Sequence, residues 1–348
     1  MNRTHGGDWA AFEQEYGAPP LDFSASVSPL GVPEAVRAAI IRAASAVDRY
    51  PDPDCRALRA AIAAREGVAP EQVLCGNGAS ELIWRAALAA RPGRALLAAP
   101  CFGEYEAALE VSGCAPVRVP LAEPFLPTEA LLQEINHNID FVILCNPNNP
   151  TGRLIDPPLL RRIIARCAET GTRLLLDECF ADFLDEPEAH TGKGELSANP
   201  QLLILRAFTK CCGMAGVRLG YALCADAAFL DTMRRAGPPW TVSTLAQAAG
   251  LAALREEGYA ERLRALIRAE RPRLAAALAA LGLRVVPGEA NFLLFQSRTP
   301  LDAPLHARGI LLRNCADFWP LDGTWYRAAV RTRADNERLL AALREVLT

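Results

Sequence analysis

The sequence is poor in histidine and lacks the cysteine spacing of metal sites, which argues against a zinc-binding or disulfide-stabilised protein. Its four His residues are isolated, and its 11 Cys residues include no Cys-x-x-Cys pair. We therefore expect no metal site, and a disulfide framework is not expected in a chain of 348 residues. The adjacent Cys211 and Cys212 are interpreted as packing residues, with a reactive thiol as the alternative.

An excess of charge of one sign and long apolar runs are also missing. The formal net charge is −3, and no basic stripe indicates nucleic-acid binding. The segment from Met1 to His5 is polar, without a signal-peptide core, and no run reaches the roughly 18 apolar residues that span a bilayer. With 51% hydrophobic residues, the chain can form a sizeable core and two packed domains. We expect a soluble, cytoplasmic protein that does not contact membranes.

The segment Phe208-Thr209-Lys210, followed eight positions later by Arg218, is the most informative stretch that is present. A lysine on a tight turn can form a Schiff base with an aldehyde, and a nearby arginine can bind a phosphate. Among 37 Lys and Arg residues, the alternative is two solvated surface charges. The pair therefore favours a pyridoxal phosphate site only if other parts of such a site occur elsewhere.

Two apolar runs end in polar residues and supply such parts. Arg173–Asp177 and Phe141–Cys145 have the continuous apolar character of strands that are buried on both faces, and the second leads into the Asn-Pro-rich loop 146–152. Ligand sites of α/β proteins lie outside the carboxyl ends of such strands. We predict that Asp177 and Asn149 lie at the site, where a carboxylate would keep a pyridine nitrogen protonated.

A fourth part is a phosphate-binding turn, Gly76-Asn77-Gly78-Ala79-Ser80-Glu81, which follows a short strand and precedes an apolar-periodic helix. The first N–H groups of a helix are unpaired and carry partial positive charge. Gly78, Ala79 and Ser80 are therefore expected to bind a phosphate dianion together with Arg218. A Gly-x-Gly turn alone is weak evidence for such a site.

These four parts, in their order along the chain, make it resemble the fold type I, aspartate-aminotransferase-like superfamily of pyridoxal phosphate enzymes. The resemblance implies an α/β fold, with a large domain built on a mostly parallel sheet and a small α+β C-terminal domain. It also implies a homodimer, because a neighbouring subunit's Tyr reaches the phosphate in that superfamily. By similarity, Lys210 is the Schiff-base lysine, Asp177 the pyridine partner, Asn149 the ring-hydroxyl partner, Arg218 a phosphate ligand, Phe102 the aromatic stacked on the ring and Tyr50 the residue from the neighbouring subunit.

Two positions depart from the common pattern of the superfamily. Many members have Tyr three places after the aspartate and a hydroxyl residue three places before the lysine, where this chain has Phe180 and Ala207. The first change removes a hydrogen bond to the ring oxygen. Thr209 is expected to supply part of the phosphate contact that is lost through the second.

A narrower resemblance is carried by both ends of the chain. His5-Gly6-Gly7-Asp8, the turn Asp22-Phe23-Ser24-Ala25-Ser26 and the stretch Leu312–Asp317 are similar to the threonine-phosphate decarboxylase family of cobalamin biosynthesis. Histidinol-phosphate aminotransferases form a related family that also takes a phosphorylated substrate. The candidate ligands of the substrate's phosphate and carboxylate are then His5, Arg313 and Arg327, with Ser26 close by at a position where relatives often have Asn.

The resemblance implies decarboxylation of L-threonine O-3-phosphate to (R)-1-aminopropan-2-yl phosphate. Three alternatives stay open: a histidinol-phosphate-type aminotransferase, a decarboxylase that prefers L-serine O-phosphate, and a non-catalytic pyridoxal phosphate sensor. Threonine phosphate and serine phosphate differ by one methyl group, which pockets discriminate by only about 1–3 kcal/mol. The motifs alone do not separate decarboxylation from transamination.

The predicted organisation has three parts. Residues 1–45 form an N-terminal arm and a helix that begins near Pro33, residues 46–245 form the large cofactor-binding domain, and residues 246–348 form an inter-domain helix and the small domain. Helical periodicity extends from Leu245 to Leu281, and we expect a kink or break at Pro272. Strands are predicted in the segments 283–286 and 291–295, and a final amphipathic helix from Asp335.

Overall fold

A computed structural model describes residues 5–347. In its N-terminal part, Asp8 caps the first helix by accepting a hydrogen bond from the N–H of Ala11, and Gly17 ends that helix at a φ of 75°. The second helix begins directly after Pro33, as predicted. The elements of this part are α1 (Trp9–Tyr16), β1 (Leu21–Asp22), α2 (Glu34–Ala43) and α3 (Arg56–Glu66).

A seven-stranded sheet forms the centre of the molecule. Its strands are β2 (Val73–Gly76), β3 (Ala95–Ala99), β4 (Val117–Pro120), β5 (Phe141–Cys145), β6 (Arg173–Asp177), β7 (Leu202–Ala207) and β8 (Gly220–Cys224). Their order is β2-β8-β7-β6-β5-β3-β4, and only β8 runs antiparallel to its neighbours. The predicted α/β class with a mostly parallel sheet is therefore confirmed.

Helices cover both faces of this sheet, which explains the continuous apolar runs of its strands. Alternate strand side chains pack into two separate cores, one with α3 and α7 and the other with α4, α5 and α9. Those helices and their neighbours are α4 (Ala79–Ala90), α5 (Gly103–Val111), α6 (Glu129–Glu134), α7 (Pro157–Thr170), α8 (Phe208–Cys211) and α9 (Ala227–Arg235).

Two helices, α10 (Thr244–Leu254) and α11 (Tyr259–Ala280), follow the sheet. The interruption between them lies before Gly258, which has a φ of 74°, whereas Pro272 lies inside the continuous α11. Of the kink or break predicted at Pro272, the break is wrong, because the helix continues through that residue. Proline in a helix costs about 3 kcal/mol, but α11 buries several apolar side chains on both sides of that position, each contributing about 1.5–3 kcal/mol.

The C-terminal part contains a four-stranded antiparallel sheet in the order β12-β13-β10-β9, which confirms the predicted small α+β region. Strand β1 pairs in parallel with β11, so the N-terminal segment is attached to this part of the protein. The elements are β9 (Arg284–Val285), β10 (Phe292–Gln296), α12 (Asp302–His306), β11 (Ile310–Leu311), β12 (Arg313–Asn314), β13 (Trp325–Ala329) and α13 (Arg333–Leu347). The proposed domain limits stay a prediction.

Within residues 5–347, none of the helices has both the length and the apolar character required to cross a membrane.

Candidate active site

A cavity of about 460 Å³ lies at the carboxyl ends of the parallel strands. It is lined by side chains that follow three neighbouring strands, Asn149 after β5, Asp177 at the end of β6 and Lys210 after β7. The beginning of α4 and two arginines of the small antiparallel sheet complete the wall. The structure thus brings together all four parts that the sequence predicted to form one site.

The amine of Lys210 lies in the cavity without an ion-pair partner among the described residues. Its nitrogen is 5.8 Å from the centre of the Phe180 ring. Burial, together with the positive charge of Arg327, lowers the pKa of Lys210 from its usual 10.5 to about 8. A lowered pKa increases the fraction of neutral amine, which is the nucleophilic form and the proton-accepting form.

The carboxylate of Asp177 is held by two hydrogen bonds. The hydroxyl of Tyr105 donates to Oδ2 at 2.7 Å, and the backbone N–H of Cys179 donates to Oδ1 at 2.9 Å. Sequence analysis missed Tyr105, although it follows Phe102 by three positions at the start of α5 and therefore projects to the same side. The two bonds fix the direction in which the carboxylate faces the cavity.

Asn149 is fixed by a residue from the other sheet. Arg327 donates a hydrogen bond from Nη1 to the carboxamide oxygen of Asn149, and this leaves the amide NH2 as the donor available to a ligand. The loop itself is braced by Asn148, whose amide donates to the carbonyl of Pro100 at 2.9 Å and to the hydroxyl of Thr151 at 3.0 Å. These two bonds tie the loop to the residue that follows β3 and to its own second half.

A cradle of donors lies at the N-terminus of α4, where Ala79 and Ser80 line the cavity. Gly78 precedes them at a φ of 82°, and a Cβ built on it would be 2.7 Å from a terminal nitrogen of Arg218. The guanidinium of Arg218 therefore passes directly over the backbone at the helix start. Thr209 also lines the cavity, and its hydroxyl makes a long bond of 3.4 Å to the carbonyl of Leu219.

Phe102 and two thiols form further parts of the wall. Phe102 lies directly before α5, and its ring meets the Tyr105 ring edge to face at 5.7 Å. Cys145 and Cys179 also line the cavity, and burial raises the pKa of each thiol well above its usual range. Both thiols are therefore neutral and weakly nucleophilic near neutral pH.

Arg313 and Arg327 are cross-strand partners in the small sheet, on the adjacent strands β12 and β13. Both are buried and both line the cavity. Burial lowers the pKa of Arg327 to about 10, and the Arg313 charge acts in the same direction. Arg313 is bound by Asp317, whose two oxygens accept from one guanidinium nitrogen at 2.8 and 2.7 Å.

Of the remaining predicted residues, two line the cavity and one does not. His5 and the buried Ser26 line the cavity, and the Ser26 hydroxyl has no hydrogen-bond partner within the described chain. The His5 imidazole contacts Glu104, a residue that the sequence analysis did not single out. Tyr50 does not line the cavity; it is 81% exposed and its ring lies 4.8 Å from that of Trp240. Its predicted contact requires a second subunit.

The chemistry of these groups fits pyridoxal phosphate. An amine, a carboxylate, an amide donor and a helix N-terminus with an arginine are suited to an aldehyde, a pyridine nitrogen, a ring hydroxyl and a phosphate, respectively. The close approach of Arg218 to Gly78 is the observation that favours a phosphate there, because it concentrates donors where only glycine fits. No group of three or more potential metal-ligating side chains lies close together in the segment 5–347.

Comparison with known proteins agrees with this geometry. The family model of aminotransferase class I and II matches residues 18–343. The threonine-phosphate decarboxylase of Salmonella typhimurium is 40% identical over 100% of this chain and 98% of its own length. A histidinol-phosphate aminotransferase of Anaeromyxobacter sp. is 35% identical over 96% of this chain and 93% of its own.

A solved structure extends the comparison to three dimensions. The histidinol-phosphate aminotransferase from Sinorhizobium meliloti, crystallised in complex with pyridoxal-5'-phosphate, is similar with a TM-score of 0.87 and 26% identity, over 99% of this chain and 95% of that chain. The chain therefore belongs to the aminotransferase class I and II family of pyridoxal-phosphate-dependent enzymes, with the fold type I architecture that its motifs predicted.

Proposed function

We propose that the protein decarboxylates L-threonine O-3-phosphate to (R)-1-aminopropan-2-yl phosphate. The similarity to the Salmonella typhimurium decarboxylase, at 40% identity over the whole chain, supports this choice. The resemblance of the motifs further implies that the product enters the cobalamin nucleotide loop, and this stays a prediction. We also propose that the residues predicted from the sequence to bind cofactor and substrate do so.

The observation that carries the proposal is the cross-strand pair of Arg313 and Arg327. Like charges that face each other across a sheet destabilise it, and two buried guanidinium groups at such positions are therefore suited to a strongly charged anion. Arg327 forms no ion pair with any carboxylate in the described part of the chain, and its Nε has no hydrogen-bond partner there. A phosphate dianion would supply the missing charge, and arginine binds phosphate through paired N–H donors.

Pyridoxal phosphate, when bound, withdraws electrons from the Cα of an amino-acid substrate. The chain decides which bond at Cα breaks by the way it holds the substrate. An arginine bound to the substrate carboxylate would retain that group and leave the Cα proton to be removed. If Arg313 and Arg327 bind the phosphate instead, the carboxylate is free to leave as CO2, and the amine of Lys210 then delivers a proton to Cα.

Product analysis tests the proposal. Purified protein with pyridoxal phosphate should release CO2 from L-threonine O-3-phosphate and form one equivalent of the phosphorylated amine, measured by CO2 capture and mass spectrometry. The Lys210→Ala variant is the matched control and should release none. Amination of 2-oxoglutarate without release of CO2 would show that the decarboxylase proposal is wrong.

The same assay separates the two other activities. A histidinol-phosphate aminotransferase is favoured by one specific finding, the 35% identity to the Anaeromyxobacter protein over almost the whole chain. Histidinol phosphate with 2-oxoglutarate would then be the productive pair. The third activity is decarboxylation with a preference for L-serine O-phosphate, which lacks one methyl group of L-threonine O-3-phosphate. Both substrates must be compared directly, because one methyl group changes the rate by only about 10- to 200-fold.

We further propose that the active protein is a homodimer. Tyr50 and Trp240 are exposed and their rings lie against each other. Ile41 and Val47, which precede Tyr50 in the chain, are 68% and 61% exposed. Exposed apolar side chains of this size favour a contact surface. Light scattering after size exclusion should give twice the chain mass, and Tyr50→Ala should weaken the retention of the cofactor.

A further inference from the structure

The N-terminal arm contributes His5 and Gly6 to the wall of the cavity, and two of its contacts lie there. In the first, Gly7 donates its N–H to the hydroxyl of Ser24 at 2.7 Å. A Cβ built on Gly6 would be 2.3 Å from the carbonyl oxygen of Ser24, so only glycine allows this approach. Ser24 is itself held by Asp22, which accepts from its hydroxyl at 2.6 Å and from its N–H at 2.7 Å.

The second point of attachment is Glu104, in the first turn of α5 on the opposite wall. Its Oε1 lies 3.2 Å from Nε2 of His5, and its Oε2 accepts from the indole N–H of Trp84 at 3.0 Å. The His5 side chain is 57% exposed, whereas that of Glu104 is only 15% exposed. The carboxylate is thus a nearly buried group held by Trp84, and it contacts an exposed imidazole. The His5 ring also meets the Phe102 ring, at 6.2 Å between ring centres.

The sign of the charge makes Glu104 unusual at this place. Among the described residues that line the cavity, the only carboxylates are those of Asp177 and Glu104, beside Lys210 and three arginines. A carboxylate near a phosphate-binding wall repels the ligand unless a hydrogen-bond donor covers it. His5 is the side chain that is placed to do this.

We propose that Glu104 is a positioning residue that holds His5 across the mouth of the cavity. One carboxylate oxygen holds the imidazole in place, and the arm between His5 and Ser24 closes the side of the cavity next to Arg313. The imidazole in turn covers the Glu104 charge, so each partner depends on the other. The inference rests on the proposed function only in the choice of a phosphorylated amino acid as substrate.

A double-mutant cycle in the holoenzyme tests this dependence. Glu104→Gln should raise the KM for L-threonine O-3-phosphate about tenfold, the loss expected for one charge-assisted hydrogen bond, with kcat within about twofold. His5→Gln should raise the KM by a similar factor. The KM of the double variant should not exceed that of the single variant with the higher KM. Glu104→Asp should recover part of the loss. Glu106→Gln is the control, because Glu106 lies on the same helix and pairs with Arg118 instead.

Hydrogen exchange of the arm gives a readout that is independent of turnover. Residues 5–8 should exchange faster in Glu104→Gln than in the wild type or in Glu106→Gln. Inorganic phosphate should slow the exchange in the wild type and in Glu106→Gln but not in Glu104→Gln. If Glu104 acts only through Trp84, the effects of the two single variants will be additive and arm exchange will not change, and either result overturns the inference. If the wild type releases no CO2, the proposed function fails, while the exchange experiment still decides the role of Glu104.

Discussion

Arg327 donates a hydrogen bond to the carboxamide oxygen of Asn149 and joins the two sheets across the cavity. Asn149 follows a strand of the parallel sheet, whereas Arg327 lies in the middle of the antiparallel one. Arg327 also donates to the carbonyl of Ser24 at 2.8 Å. All of its hydrogen-bond partners in the described chain are neutral, so a buried cation is held in place without a countercharge.

Replacement of Arg327 should weaken substrate binding without lowering the stability of the folded protein. Arg327→Gln should raise the KM for the phosphorylated substrate about 10- to 100-fold, because hydrogen bonds to charged groups contribute roughly 1.5–3 kcal/mol each. The melting temperature of the ligand-free protein should stay equal or rise, because an uncompensated buried charge is removed. Steady-state kinetics and calorimetry measure the two effects. A lower melting temperature with an unchanged KM would contradict this assignment.

The pKa of Lys210 predicts how cofactor binding depends on pH. Burial and Arg327 lower this pKa to about 8, so the neutral amine increases with pH and predominates above that value. The initial rate at which ligand-free protein combines with pyridoxal phosphate should therefore rise up to about pH 8 and then level off. Stopped-flow absorbance measures this rate. A rate that still increases about tenfold per pH unit between 8 and 10 would indicate an unperturbed lysine.

The strands of the central sheet could be predicted because burial on both faces leaves a continuous apolar run in the sequence. Phe141–Cys145 and residues 174–177 are buried, and the predicted site residues lie at or just beyond their ends, Asp177 as the last residue of its strand and Asn149 in the loop that follows Cys145. The break before Gly258 and the continuity through Pro272 depend on which side chains α11 buries. Burial is a tertiary property, and it outweighed the local preference of proline.

The parts of the site that the sequence did not predict are contacts between distant residues. Tyr105 and Asp177 are 72 positions apart, and Arg327 and Asn149 are 178 apart. Neither contact leaves a periodic pattern in the chain. Tyr50 shows a second kind of limit, since its predicted role requires a neighbouring subunit and its position in one chain does not test it.

The tight turn before α4 should tolerate no side chain. Gly78→Ala would place a methyl group 2.7 Å from Arg218 and would strain a backbone at a φ of 82° by about 1–3 kcal/mol. We expect the Kd for pyridoxal phosphate to rise at least about tenfold, measured by absorbance titration. Gly113→Ala separates the two causes, because Gly113 has a φ of 90° with no atom near the added Cβ. An equal loss of affinity in both variants would exclude a specific role of Arg218.

The carboxylate of Asp317 should oppose phosphate binding. Both of its oxygens accept from one nitrogen of Arg313, so the substrate phosphate must share a cation that already has a partner. Asp317→Asn keeps one acceptor for Arg313 but removes the negative charge, and the KM for L-threonine O-3-phosphate should fall about fivefold, the effect of roughly 1 kcal/mol for a partly exposed pair.

Asp317→Ala provides the contrast, because it removes both the charge and the acceptor that orients Arg313. If the position of Arg313 matters more than its neutralisation, the alanine variant will bind substrate less tightly than the asparagine variant, although their charges are equal. Steady-state kinetics at two salt concentrations measures this difference, since the purely electrostatic part of the gain should shrink as the ionic strength rises. A KM that increases in both variants would mean that Asp317 supports phosphate binding instead of opposing it.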